Sequence, residues 1–384
     1  MEHLINERVK EISISGIRKF FNLVQQYDDV ISLTIGQPDF PTPDHVKEVA
    51  KTSIDQNFTS YTANAGLLEL REAVCQFVHN KYQLNYAPDE VIVTVGASQA
   101  IDITLRTILQ PGVEVLLPGP VYPGYEPIIR LCGARPVHVD TRKNGFKLTA
   151  SLIEEYLTDQ TRCIILPYPS NPTGVSLTEE ELKDIADLLQ EKDIFVLSDE
   201  IYSELTYTQK HISIASFLKE KTIVINGLSK SHSMTGWRIG FLLAPNNIAR
   251  HILKVHQYNV SCASSISQKA ALEAITVGAK DPLIMATEYE KRLNYVYDKL
   301  CNLGFDVIKP DGAFYLFPSI QKFHQNSFDF ALELLEKARV AVVPGSAFSS
   351  YGEGFIRISY AYSLKELEEA FNRIEAFIKG NYLQ

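Results

Sequence analysis

Lys230 and Arg238, eight residues apart, stand in the run Ser229–Arg238, directly after the short apolar stretch Thr222–Asn226. A lysine at that point sits where a sheet edge opens into a ligand crevice, and partial desolvation there lowers the pKa of an amine. Such an amine can attack a carbonyl and form a Schiff base. Arg238 offers a planar fork suited to phosphate. The pair therefore fits an aldehyde cofactor carrying a phosphate at its other end, such as pyridoxal 5'-phosphate (PLP).

Other residues follow strand-like segments in the same way. Asp199 comes directly after Ile194–Ser198. A carboxylate there can pair with a protonated ring nitrogen and make an aromatic cofactor a better electron sink; the bland alternative is a helix N-cap. Tyr202 can hydrogen-bond a ring phenolate, or be an ordinary core aromatic. Asn171 lies in Pro169–Gly174, which alone reads as a turn, yet a rigid turn would hold its amide near the same ring oxygen. Gly96-Ala97-Ser98 joins a strand to a helix, and backbone N–H groups at a helix start receive anions. Tyr122, on the loop Gly119–Tyr125, can stack on a flat ring. Arg357 is a charge inside the apolar strand Phe355–Ser359. A cleft-wall position would suit it to a substrate carboxylate, and a solvent-facing one would make it unremarkable. Each feature is modest alone; their joint occurrence in one order carries the reading.

The elements that must position these residues are legible between about residues 90 and 245. Val91–Val95, Val113–Leu117, Arg162–Leu166, Ile194–Ser198 and Thr222–Asn226 are short apolar strands, with helical stretches such as Ser98–Leu109 between them. Thr178 and Glu181 fit a capping box ahead of a helix whose apolar face is Leu182, Ile185, Ala186 and Leu189. Strands alternating with helices predict parallel pairing, with the ligand site at the carboxyl ends of the strands. The C-terminal part predicts an α+β unit. Its helices are Pro282–Leu303, Phe328–Ala338 and Ser363–Ile378, the last with a Ser363/Glu366 capping box. Its strands lie near Phe305–Val307, Phe314–Phe317, Val340–Val343 and Gly354–Ser359. The expected division is a large domain over residues 45–285, with residues 1–44 and 286–384 forming a small one and the substrate cleft between them.

With 384 residues the chain can hold two cores. A net charge of −9 argues against a nucleic-acid partner. No apolar run reaches the roughly 18 residues a membrane span requires, and the start lacks the basic-then-apolar pattern of a signal peptide. Five scattered cysteines without a Cys-x-x-Cys pair read as reduced thiols of a cytoplasmic protein, with no zinc site.

The ordered set of motifs resembles the class I and II aminotransferases of PLP fold type I. The match runs from Gly36–Phe40, through Tyr61 and Gly66–Ala73, to Phe355–Ser359. The resemblance implies a mostly parallel central sheet with helices on both faces, plus a smaller α+β domain. It implies that Lys230 is the Schiff-base lysine, Asp199 the partner of the ring nitrogen, and Asn171 and Tyr202 ligands of the ring oxygen. Arg238, Ser98 and the Ala97 backbone would hold the phosphate, with Ser229 as a further contact, and Tyr122 would stack on the ring. Gly36 and Arg357 would receive the substrate carboxylate. Tyr61 resembles the residue lent to the other subunit's phosphate site, which implies a homodimer. The implied reaction moves an amino group between an amino acid and a 2-oxo acid, as in the N-acetyl-LL-diaminopimelate branch of lysine biosynthesis. Broad aspartate or aromatic aminotransferases and carbon–sulfur β-lyases share these motifs. One departure stands out: relatives often carry a phosphate-binding serine where this chain has Gly227.

Overall fold

The computed structural model describes residues 1–14 and 16–382. Its centre is a seven-stranded sheet built from β1 (Val91–Thr94), β2 (Glu114–Gly119), β3 (Arg135–Asp140), β4 (Thr161–Leu166), β5 (Phe195–Asp199), β6 (Thr222–Gly227) and β7 (Gly240–Leu243). The spatial order is β1-β7-β6-β5-β4-β2-β3. All pairings from β6 to β3 are parallel.

The sheet is buried on both faces, which is why its strands are continuously apolar rather than alternating. Val91 and Val93 on β1 and Val224 on β6 face one core, shared with the helices Leu68–Tyr82 and Ser265–Thr276. Ile92, Ile223 and Ile225 face another, shared with the helices Gly96–Ile108 and Asn246–Val260. Successive side chains on a strand point to opposite faces, so each strand supplies both layers.

One strand departs from the expected parallel pairing. β7 was not among the apolar segments expected to be strands, and it runs antiparallel to both β1 and β6. The link from Gly227 to Gly240 holds only the helix Leu228–Ser231 and the single turn Thr235–Trp237. That is too little for a crossover helix, so the chain turns back on itself. The sheet is mostly, not wholly, parallel.

The remaining chain packs around a further core that joins Phe20 and Leu33 to Phe330, Phe371 and Ile374. A three-stranded antiparallel sheet, with β8 (Tyr315–Leu316), β9 (Val343–Pro344) and β10 (Ile356–Ser359) in the order β9-β10-β8, crosses this region. The helices Asp281–Asn302, Ser327–Ala338 and Leu364–Asn381 surround it. Both expected capping boxes form, at Thr178/Glu181 and Ser363/Glu366. Phe305–Val307 contributes no strand, only an isolated bridge between Asp306 and Ser319. Among the described residues no helix is long and apolar enough to cross a membrane.

Candidate active site

A cavity of about 1300 Å³ opens where the carboxyl ends of the central strands meet β8 and β10. Gly36, Ala97, Ser98, Tyr122, Asn171, Asp199, Tyr202, Ser229, Lys230, Arg238 and Arg357 all line it. Tyr61 does not; it is 86% exposed on the surface of the chain.

Lys230 lies on the short helix that follows β6. Its Nζ donates to the Gly36 carbonyl at 2.5 Å and stands 5.8 Å from the centre of the Tyr202 ring. Burial, followed by the positive charges of Arg357 and Arg238, brings its pKa down to about 8. An ammonium held this weakly yields a free amine, and so a nucleophile or base, near neutral pH.

Asp199 closes β5 and is almost fully buried. It accepts hydrogen bonds from Tyr125 Oη at 2.7 Å and from the Ile201 backbone N–H at 3.3 Å. Burial is the largest influence and raises its carboxyl to about 6, while the Tyr125 bond opposes the rise. A carboxylate so placed, hydrogen-bonded among the described residues only by neutral donors, is stabilised by a cation brought against it.

At the other end of the cavity a close-packed set of glycines brings Arg238 against the start of the helix Gly96–Ile108. Gly96 has φ +74, and a Cβ there would lie 2.6 Å from Arg238 Nη2. Arg238 itself is left-handed at φ 54, with Nη1 donating to the Thr235 carbonyl at 2.8 Å. The absence of a serine at 227 has a physical reason. Gly227 pairs with Gly240 across β6 and β7, and a Cβ on Gly227 would lie 3.0 Å from the Gly240 Cα. A Cβ on Gly240 would in turn lie 2.7 Å from the Gly96 carbonyl carbon. Three backbones are closely stacked, so a side chain at Gly240 would force them apart and one at Gly227 would crowd its neighbour.

Arg357 is buried on β10. Its Nη1 donates to Asn171 Oδ1 at 2.9 Å and its Nη2 to the Thr34 carbonyl at 2.5 Å. Its Nε is buried without a hydrogen-bond partner among the described residues. The guanidinium lies 4.4 Å from the centre of the Tyr315 ring. Asn171 and Arg357, far apart in sequence, are therefore one unit.

Two lining residues carry contacts that sequence reasoning did not assign. Tyr125 appears in the sequence only as a second aromatic on a loop; it begins the helix Tyr125–Leu131 and points at Asp199. Tyr315 reads as an ordinary apolar strand residue, yet its hydroxyl meets that of Tyr202 at 2.8 Å. Spacing from Tyr122 would have flagged Tyr125. Nothing local would have flagged Tyr315.

Residues 28–374 match the family model for aminotransferase class I and II. The chain belongs to the class I and II aminotransferases. A Bacillus subtilis protein described as a probable N-acetyl-LL-diaminopimelate aminotransferase is 67% identical over 98% of this chain and 96% of its own length. Aromatic-amino-acid aminotransferase 2 of Thermococcus litoralis is 41% identical over 99% of both chains. The crystal structure of an aromatic aminotransferase from Pyrococcus horikoshii superposes with a TM-score of 0.90 at 42% identity, covering 95% of this chain and 100% of that one. The central sheet with helices on both faces is thus the aminotransferase fold, and this chain is an aminotransferase.

Proposed function

We propose that the cavity binds PLP, with Lys230 as its covalent anchor, and that the chain transfers the amino group of N-acetyl-LL-diaminopimelate to 2-oxoglutarate. The observation that carries the cofactor reading is the placing of Lys230 and Asp199, two buried ionisable groups, on one cavity with Arg238. Among the described residues Asp199 takes its hydrogen bonds only from neutral donors, and a protonated ring nitrogen would give it a charged one. The Gly96 turn leaves a cradle that a Cβ would fill, and Arg238 borders it. Asn171, Tyr202, Ser98, Ser229, Ala97 and Tyr122 line the same cavity; in this reading Asn171 and Tyr202 would serve the ring oxygen, Ser98, Ser229 and the Ala97 backbone the phosphate, and Tyr122 the ring face.

When bound, PLP supplies an electron sink for the pair left on the substrate Cα. The protein's own residues do the rest. Arg357, helped by Gly36 and Asn171, fixes the α-carboxylate in a bidentate grip. Lys230 Nζ would serve as the base that takes the α-proton and as the acid that gives a proton back on the far side of the amino nitrogen, at the cofactor's aldehyde carbon. Asp199 would keep the ring-nitrogen proton in place.

The homodimer belongs to the same reading. Within one chain Tyr61 is 86% exposed, which leaves its ring available to a second copy. The shared core of Phe20 and Leu33 with the C-terminal helices supports grouping residues 1–44 with 286–384 as a small domain beside a large domain of 45–285.

The donor assignment rests on the 67% identical relative; one aromatic-amino-acid aminotransferase at 41% identity and aspartate aminotransferases at 41% and 40% support the second reading, a broader aromatic or aspartate specificity. A half-reaction panel decides between them. N-acetyl-LL-diaminopimelate, glutamate, aspartate and phenylalanine are each mixed with the holoenzyme, and conversion to the pyridoxamine form is timed. The proposal requires the acetylated donor to react with the highest kcat/KM after glutamate; faster reaction of phenylalanine or aspartate would replace it.

A further inference from the structure

We propose that Tyr315 is a positioning residue that joins the two halves of the site, through its hydroxyl to Tyr202 and through its ring to Arg357. This inference rests on the PLP reading above. The Tyr315 hydroxyl lies 2.8 Å from that of Tyr202, and its ring lies 4.4 Å beneath the Arg357 guanidinium. The side chain is fully buried and lines the cavity. Gly36 keeps room for it: a Cβ there would lie 2.6 Å from the Tyr315 hydroxyl oxygen.

The direction of the hydroxyl contact follows from counting hydrogens. Each phenol has one hydrogen to give. If Tyr202 gives its hydrogen to a ring oxygen of the cofactor, its own oxygen is left to accept, and Tyr315 is the donor that faces it. A donor behind a donor polarises the outer O–H and strengthens its bond. Tyr315 thereby makes Tyr202 a better stabiliser of a ring phenolate. The ring has a separate task. Arg357 is desolvated, and an aromatic face beneath its guanidinium offsets part of that cost while fixing its plane.

The two tasks separate by substitution in the holoenzyme. Tyr315→Phe removes the hydroxyl and keeps the ring; Tyr315→Leu removes both. The first readout is the pH midpoint of the visible absorbance of the lysine-bound cofactor, which rises when the deprotonated, phenolate-bearing form loses support. Besides Lys230 and Tyr315 themselves, the charged and titratable groups lining the cavity among the described residues are Asp199 from β5, Arg357 from β10, Arg238, Glu11, Glu126, Arg130, Tyr122, Tyr125 and Tyr202, and all are retained in both variants. Tyr315→Phe should raise the midpoint by about half to one pH unit, the worth of one hydrogen bond, with KM for amino donors within about twofold of the parent on that same scale. Tyr315→Leu should raise the midpoint equally and also raise KM about tenfold for every donor. Thermal melts of both variants report folding. If Tyr315→Leu does not fold, Tyr315→Phe decides alone. An unmoved midpoint in Tyr315→Phe overturns the proposal, and so does an equal rise of KM in both variants. A parent protein that forms no visible lysine-bound cofactor would instead refute the PLP reading itself.

Discussion

Tyr125 donates its phenolic hydrogen to Asp199 across 2.7 Å, from a helix that begins 74 residues before that carboxylate. This bond is the principal influence holding the Asp199 proton affinity down against burial. It also orients the carboxylate toward the cavity.

Removing it has a directional consequence. Tyr125→Phe keeps the ring but leaves Asp199 with only a backbone donor, so the carboxyl takes up a proton more readily and pairs less well with a ring cation. A buried hydrogen bond to a charged group contributes about 1.5–3 kcal/mol, so kcat/KM should fall about ten- to a hundredfold for all donors. Steady-state kinetics with two unrelated donors check this.

The raised carboxyl also predicts a pH-dependent stability in the cofactor-free protein. Asp199 ordinarily titrates near 3.8 and here near 6. Below the lower value the group is protonated in folded and unfolded chains alike, and its burial costs nothing extra. As pH rises through about 6 the unfolded chain has already released its proton, and the folded state loses stability. Asp199→Asn should therefore stabilise the apoprotein by about 2–3 kcal/mol between about pH 7 and 8, with the gain vanishing near pH 4. Urea unfolding of both proteins across that range measures the difference; a gain independent of pH would contradict it.

Arg357 should serve every amino donor alike, since the α-carboxylate is common to them. Arg357→Lys loses the fork geometry and the bond to Asn171. KM should rise about a hundredfold for each donor, the loss expected of a paired, desolvated charge, with kcat changed less. A donor-dependent loss would place Arg357 in side-chain selection instead.

Much of this was legible beforehand. The strand-end positions of Lys230, Asp199, Asn171 and the Gly96 turn followed from apolar runs and what comes after them, because parallel strands bring their carboxyl ends together. β3 and β7 escaped: the apolar run Ile239–Ala244 is present in the sequence, but that it pairs antiparallel beside β6 depends on the short return loop after Gly227. Tyr125 and Tyr315 escaped for a related reason. Their partners, Asp199 and Tyr202, lie 74 and 113 residues away, and only the packed fold makes them neighbours. The role of Gly227 likewise needed the stacking against Gly240 and Gly96 to become intelligible.

Tyr61 tests the homodimer. Within one chain it touches no part of the cavity, so Tyr61→Phe should leave a monomeric site untouched. Shared sites predict weaker PLP binding, by about tenfold for one phosphate hydrogen bond. Shared sites also predict that mixed dimers of Lys230→Ala with Tyr61→Phe recover one full-affinity site. Equilibrium dialysis of the mixture against PLP gives the answer, and failure to recover such a site would leave Tyr61 without this role.

The most direct measurement is chemical. Borohydride reduction of the holoenzyme, followed by proteolysis and mass spectrometry of the labelled peptide, should place the pyridoxyl group on Lys230 alone, and Lys230→Ala should fold yet carry no label. A label on another lysine, or none in the parent protein, would contradict the account.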